Sequence, residues 1–230
     1  MREIVLDTET TGMDPAQGHK IVEIGCVEVE NQIPTGRTFH KYINPERSID
    51  AGATAVHGIK DSDVAKAPTF GEIVGEFMDF VNGGRLVIHN AEFDVKFLNA
   101  EIKPYGYPPF KLNETVDTLL LARQKFPGSP ANLDALCRRF GIDLSERTLH
   151  GALLDARLLA EVYIELMGGR QQGLVLEAEG SAGQNSDILT PHIAVSSSRT
   201  PRVIMATEAE LEKHKDLLKQ IKNPLWEQLG

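Results

Sequence analysis

Apolar and polar residues alternate along the first half of the chain in patterns that predict β-strands. The predicted strands are residues 4–6, 21–29, 38–43, 86–88 and 115–117. Residues 31–36, which contain Asn, Pro and Gly, are predicted to form the turn between the second and third strands.

Apolar residues at spacings of three and four predict helices between and after the later strands. The predicted helices are residues 69–80, 91–102, 118–126, 133–140 and 151–167. Strands that come first and then alternate with helices indicate an α/β domain, with helices flanking a mixed central sheet. We assign residues 1–170 to this domain.

The composition changes after Gly169. Residues 177–200 are rich in Ser, Gly, Ala, Glu and Asn and lack periodicity, which predicts a flexible linker over residues 171–200. Thr207 and Glu210 then form a capping box that opens an amphipathic helix. A lone helix beyond a linker cannot bury its apolar face, so we expect residues 201–230 to bind a partner. The alternative is that this helix folds back on the main domain.

Composition and charge narrow the class of protein. A chain of 230 residues that is 41% hydrophobic and 25% charged is typical of a globular protein. Cys26 and Cys137 lie in apolar periodic segments, as buried thiols do in a reducing compartment. The chain shows neither a signal peptide nor an apolar stretch of about 20 residues, so we expect a cytoplasmic protein. Its net charge of −9 argues against high affinity for nucleic acid in the absence of a partner that presents the substrate.

Two carboxylates stand where the first buried strand is predicted to end. Asp7 and Glu9 are two residues apart, so their side chains point to the same side of the sheet. Two negative charges at one place raise each other's pKa unless a cation lies between them. Carboxylate oxygens are the ligands that Mg²⁺ and Mn²⁺ prefer, so this pair predicts a metal site.

Two further aspartates belong to the apolar faces of predicted helices. Asp94 shares a face with Phe97 and Leu98, and Asp155 shares one with Leu158 and other apolar residues. No equally buried Lys or Arg is expected opposite them, and an unpaired buried carboxylate is costly. The joint pattern therefore favours convergence on cations.

A histidine precedes the last helix of the domain. Gly151 indicates that this helix begins there, which leaves His150 on the preceding loop, close to Asp155. A loop histidine beside a metal-bound aspartate titrates near neutral pH and suits a general base.

Four segments resemble the sequence motifs of a known family. They are DTETTG (7–12), VHGI (56–59), HNAEFDVKFL (89–98) and HGALLD (150–155). In this order they resemble the DEDDh 3′→5′ exonucleases, whose fold is ribonuclease H-like, and the resemblance covers about residues 1–170. Within that family, the chain most resembles the proofreading subunits of bacterial DNA polymerase III. This finer resemblance rests on the linker-plus-tail layout and on the segments NLDALC (132–137), HGALLDA (150–156) and LAEVY (159–163).

The resemblance implies hydrolysis of a DNA 3′ end to nucleoside monophosphates with two Mg²⁺ or Mn²⁺ ions per site, about 4 Å apart. His150 is the implied general base. The implied metal ligands are Asp7, Glu9, Asp155 and, in part through water, Asp94.

The resemblance also implies contacts with the substrate. Asp7, Glu9 and Asp155 are expected to reach it through the metals, and His57 to contact the terminal nucleotide. Phe93 offers a stacking surface for a base, or else it packs in the core. In some of these proofreading subunits an acidic residue stands where this chain has Gly52, so we expect end-nucleotide binding to differ here.

Two segments resemble partner-binding sequences. QQGLVL (171–176) is similar to a sliding-clamp-binding peptide, with Gln171, Leu174 and Leu176 as anchors; the alternative is a simple helix exit. Residues 202–221 resemble the tail that holds the polymerase alpha subunit. Such tethering would compensate for the acidic surface, because the polymerase supplies DNA at high effective concentration.

Three other functions compete with proofreading. A free-standing DEDDh ribonuclease would not need the polymerase tail. A non-catalytic adaptor between polymerase and clamp would not need the complete set of carboxylates and histidine. An integrase-like nuclease would not need His150.

Overall fold

The computed structural model describes residues 1–145, 147, 149–169 and 206–219. By its internal contacts the chain divides into two units, Met1–Leu176 and Glu177–Gly230. The first unit contains the sheet and seven of the described α-helices, and the second contains one described α-helix.

Five strands form one mixed sheet in the order β3-β2-β1-β4-β5. β1 pairs antiparallel with β2, and β2 pairs antiparallel with β3, whereas β4 runs parallel to β1 and β5 parallel to β4. The predicted mixed sheet is therefore confirmed. The strand bounds are Arg2–Thr10 (β1), Ile21–Glu30 (β2), Ile33–Tyr42 (β3), Arg85–Ile88 (β4) and Val116–Asp117 (β5).

Among the described residues, the seven α-helices of the first unit lie in two layers around this sheet, and an eighth belongs to the second unit. Their bounds are Ala51–His57 (α1), Asp61–Val64 (α2), Phe70–Val81 (α3), Ala91–Ile102 (α4), Thr118–Lys125 (α5), Leu133–Phe140 (α6), Ala152–Leu166 (α7) and Glu208–Leu218 (α8). On one face of β1, Ile4 and Leu6 belong to a core cluster with residues of α3 and α4. On the other face, Val5 clusters with Leu159 of α7. Because side chains alternate along a strand, β1 contributes to both layers.

The turn between β2 and β3 is shorter than predicted. The prediction of a turn over residues 31–36 is wrong, because β3 already begins at Ile33. Asn31 and Gln32 alone make the turn, with φ angles of 51° and 65°. Two consecutive residues with positive φ match the right-handed twist of a hairpin. Pro34 is tolerated because β3 is an edge strand.

The sequence pattern identified the longer helices and missed two short ones. The helices predicted over 91–102 and 133–140 are confirmed at both ends. Helices α1 and α2 were not predicted, because each has at most two turns and little apolar periodicity. Both predicted thiols are buried and free.

The second unit contributes helix α8. Thr207 and Glu210 form the predicted capping box, with Thr207 N and Oγ1 each donating to Glu210 Oε2 at 2.8 Å. The predicted linker, the clamp peptide 171–176 and residues 201–205 and 220–230 of the tail lie outside the described residues. Among the described helices, none combines the length and apolar character that crossing a bilayer requires.

Candidate active site

Strand β1 contains the first two residues of the predicted site, Asp7 and Glu9. Both lie within the strand, because it continues to Thr10. Asp7 and Glu9 point to the face covered by α7, and Glu9 is buried while Asp7 is half-buried. The register between β1 and β2 shifts after Glu9, which bends the strand at this point.

Helix α4 brings Asp94 to β1 from the opposite layer. The aspartate is buried, and Thr8 Oγ1 donates a hydrogen bond to its Oδ1 at 2.7 Å. Asp117 fixes the start of α4, because its carboxylate accepts from the backbone N–H groups of Asn90 and Ala91, both at 3.2 Å. Asn90 adopts the left-handed conformation that this tight strand-to-helix connection requires.

Helix α7 brings Asp155 and His150 together. The helix begins at Ala152 with Gly151 at its N-cap, so His150 lies on the preceding loop, as predicted. Asp155 is buried in the first turn, and its Oδ2 lies 3.2 Å from His150 Nδ1. The His150 side chain is half exposed.

These elements meet at one cluster of possible metal ligands. Glu9, His150 and Asp155 each offer a ligand atom, and these atoms lie within 4.8 Å of one another. Asp7 lines the adjoining cavity of about 280 Å³ together with His150 and Asp155. The structure therefore brings Asp7, Glu9, Asp155 and His150 to one place, with Asp94 reaching β1 from its other side.

The carboxylates of the cluster repel one another in a buried setting. Burial, with the charges of Asp155, Glu23 and Asp94, raises the pKa of Glu9 to about 8. Burial also raises the pKa of Asp94 to about 7, although the hydrogen bond from Thr8 opposes this. The pKa of Asp7 is raised by burial first and then by the neighbouring carboxylates. Such a site favours the binding of cations.

Arg147 provides a buried cation that sequence reasoning missed. The expectation that no equally buried Lys or Arg lies opposite the aspartates is wrong. Arg147 Nε and Nη2 donate to the two carboxylate oxygens of Asp155, each at 2.7 Å, and Nη1 donates to Asp134. Arg147 Nη2 also lies 3.0 Å from His150 Nδ1. The arginine side chain is only 8% exposed, so its positive charge belongs to the site.

The donor set fits a divalent cation. The carboxylate oxygens that Asp7, Glu9 and Asp155 supply are the ligands that Mg²⁺ and Mn²⁺ prefer. Arg147 already neutralises Asp155, which shows that this place in the fold accepts positive charge. Glu9 has no comparably close cation among the hydrogen bonds and ion pairs of the described residues, and burial is the largest cause of its raised pKa, followed by the neighbouring carboxylates.

The two predicted substrate contacts differ in their surroundings. His57 is buried, accepting from Ile59 N at 3.0 Å and lying 3.3 Å from Thr10 O, so both ring nitrogens face the backbone. Phe93 is partly buried on Phe97, with ring centroids 5.0 Å apart, and also lines an open groove. Phe93 therefore packs against the core and also borders this groove, and its stacking on a base stays a prediction. A nucleotide contact by His57 would require the ring to leave one of its backbone partners.

Comparison with known proteins begins with the domain itself. A model of the exonuclease family (RNase_T) matches residues 4–163, from β1 into α7. The chain belongs to this exonuclease family.

This exonuclease has relatives over nearly its whole length. The DNA polymerase III subunit epsilon of Rickettsia conorii is 50% identical over 224 residues, covering 96% of each chain. The subunit of the same name from Escherichia coli is 46% identical over 220 residues, covering 93% of this chain and 90% of that protein.

Solved structures share the exonuclease fold. A structure described as exonuclease X in complex with 5′ overhanging duplex DNA superposes with a TM-score of 0.57 at 27% identity, covering 71% of this chain and 90% of that one. A full-length 3′-exonuclease superposes with a TM-score of 0.61 at 20% identity, over 72% of this chain and 60% of that one, and supports the fold alone. The predicted ribonuclease H-like fold is confirmed.

Proposed function

We propose that this chain is the 3′→5′ proofreading exonuclease of a bacterial DNA polymerase III and removes 3′-terminal nucleotides as nucleoside monophosphates. The observation that carries the proposal is the cluster of Glu9, Asp155 and His150 ligand atoms within 4.8 Å, in a fold of the exonuclease family. The relatives named as epsilon subunits support the assignment to that polymerase.

The residues of the site would have separate roles in hydrolysis. Glu9, Asp155 and Asp7 would hold two Mg²⁺ or Mn²⁺ ions, and Asp94, held by Thr8, would complete the site. When bound, these ions would neutralise charge on the attacking and leaving oxygens and lower the pKa of the attacking water. His150 would take the proton of that water at a ring nitrogen, since it is half exposed on a loop beside Asp155.

Partner binding is a separate part of the proposal. Helix α8 supports an interaction with the polymerase alpha subunit, because Leu211 and Leu217 are 49% and 55% exposed. The clamp peptide anchored by Gln171, Leu174 and Leu176 rests on its sequence alone. We expect the complex to work in the cytoplasm.

The test compares two substrates of the same sequence. Single-stranded DNA and RNA oligonucleotides carrying a 5′ label are incubated with the full chain in Mg²⁺, with and without EDTA, and beside the His150→Ala variant. Stepwise shortening of DNA that EDTA abolishes is the expected result. His150→Ala is expected to lower the rate by about 10²–10⁴-fold, the usual contribution of a general base.

The other outcomes lead to the competing functions. Faster shortening of RNA than DNA would favour a free-standing ribonuclease. No cleavage of either would favour the adaptor, and binding of the alpha subunit through residues 201–230 would then be measured by itself.

A further inference from the structure

A further buried carboxylate, Glu23, lies beside the proposed site without belonging to the predicted ligand set. Glu23 is 3% exposed and stands in β2 directly opposite Glu9 of β1. Within the described part of the chain, its Oε1 lies 2.6 Å from His40 Nε2 and its Oε2 accepts from Ala152 N at 3.1 Å. Both oxygens are therefore committed to protein groups.

The bond to Ala152 caps a helix that has no cap of its own. The first N–H groups of a helix need acceptors from outside it, and the N-cap of α7, Gly151, has no side chain to offer one. Glu23 supplies an acceptor from a strand 129 residues earlier in the chain. A carboxylate at this end of a helix is also favoured by the helix dipole.

Strand β2 and helix α7 touch through their backbones at the same place. Gly25 follows Glu23 on the same face of β2, and a Cβ there would lie 2.2 Å from the Ala152 carbonyl carbon and from Leu153 N. Because no side chain separates the two elements, the position of the α7 backbone depends directly on β2. His40, which supports Glu23 from β3, stands opposite Gly25 in the sheet register.

We infer that Glu23 is a positioning residue that fixes the first turn of α7, and with it Asp155 and His150, against the sheet. Ala152 lies between these two residues, two positions after His150 and three before Asp155. Loss of the bond would let the start of the helix move relative to Glu9 on β1. A misplacement of about 1 Å in an active site can lower the rate by about 100-fold.

The experiment separates the hydrogen bond of Glu23 from its charge, and it rests on the proposed nuclease activity. E23A removes both, whereas E23Q keeps an acceptor for Ala152 N–H and removes the charge. H40A loosens the support of Glu23 from β3. E28A is the matched control, because Glu28 is a buried carboxylate of the same strand whose partners include Arg2 and Arg37, which lie outside the site.

Four quantities are measured on each full-length variant: kcat and KM on single-stranded DNA, the Kd for Mn²⁺ by electron paramagnetic resonance, and Tm. We expect E23A to lower kcat on the order of 100-fold with KM unchanged and to weaken Mn²⁺ binding. We expect E23Q to restore most of both, H40A to lower kcat less than E23A, and E28A to change Tm alone.

Equal kcat in E23A and E28A would overturn the inference, and so would E23Q as inactive as E23A. If E23A does not fold, the kcat of H40A becomes the test. An unchanged kcat in H40A would then overturn the inference, because His40 is proposed to hold Glu23 in place. An inactive wild type would contradict the proposed function instead. The Mn²⁺ affinities of E23A and E28A would still judge the positioning role in that case.

Discussion

Replacing Arg147 with Ala tests whether this arginine neutralises the buried charge of Asp155 in the metal-free protein. Arg147 holds both oxygens of Asp155 at 2.7 Å, and the two side chains are only 8% and 4% exposed. Removing one partner of a buried ion pair costs about 3–5 kcal/mol, because the other charge is left buried and unpaired. In a protein of this size each kcal/mol lowers Tm by about 2–4 °C, so we expect a loss of about 6–20 °C in EDTA.

Divalent cations should recover much of that loss. A bound ion supplies Asp155 with the positive charge that Arg147 provided, and ligands that bind the folded state raise its stability. We therefore expect saturating Mg²⁺ to raise the Tm of Arg147→Ala more than that of the wild type. Arg157→Ala is the matched control, since Arg157 is exposed on the same helix as Asp155.

The assay is thermal unfolding followed by circular dichroism, in EDTA and in Mg²⁺. The reasoning is refuted if Arg147→Ala unfolds at the wild-type temperature in EDTA. It is also refuted if Mg²⁺ raises both Tm values equally, because Arg147 and the ions would then act on different groups.

Three further predictions address single contacts. Burial raises the pKa of Glu9 from its ordinary 4.5 to about 8, so the folded metal-free protein keeps a proton there that the unfolded chain loses near pH 4.5. The stability that Glu9 contributes should thus fall as pH rises from 4.5 to about 8. In EDTA, the Tm of the wild type minus the Tm of Glu9→Gln should therefore decline over this pH range. An increase in that difference would contradict the prediction. Thr8→Val removes the 2.7 Å bond to Asp94 and should cost about 1–3 kcal/mol in urea unfolding, whereas an unchanged midpoint would show that the bond is not needed. Leu211→Ser should weaken capture of the alpha subunit in a binding assay and leave nuclease activity intact, and unaltered capture would exclude this residue from the contact.

The sequence predicted the buried carboxylates because the spacing of apolar residues shows which side of a helix is buried. Asp94 and Asp155 stand among apolar residues at helical spacing, and both are buried as expected. The glycine before α7 likewise marked the start of the helix and put His150 on a loop. These features depend on residues that are near one another in the chain.

The partners of those carboxylates depend on contacts between distant segments. Thr8 meets Asp94 across 86 residues, and Glu23 meets Ala152 across 129 residues. The local sequence pattern around Thr8 and around Glu23 does not indicate either of these partners. Arg147 lies only eight residues before Asp155, yet its role depends on how the intervening loop folds back, which no periodicity records.

The most direct test of the central claim follows one DNA strand labelled at its 3′ end in one sample and at its 5′ end in another. Both are digested in Mg²⁺ by the wild type and by Asp155→Asn, after thermal unfolding confirms that the variant is folded. Our account predicts immediate release of the 3′ label as a mononucleotide, a 5′-labelled ladder that shortens stepwise, and neither in Asp155→Asn. Early release of the 5′ label, or equal digestion by both proteins, would contradict it.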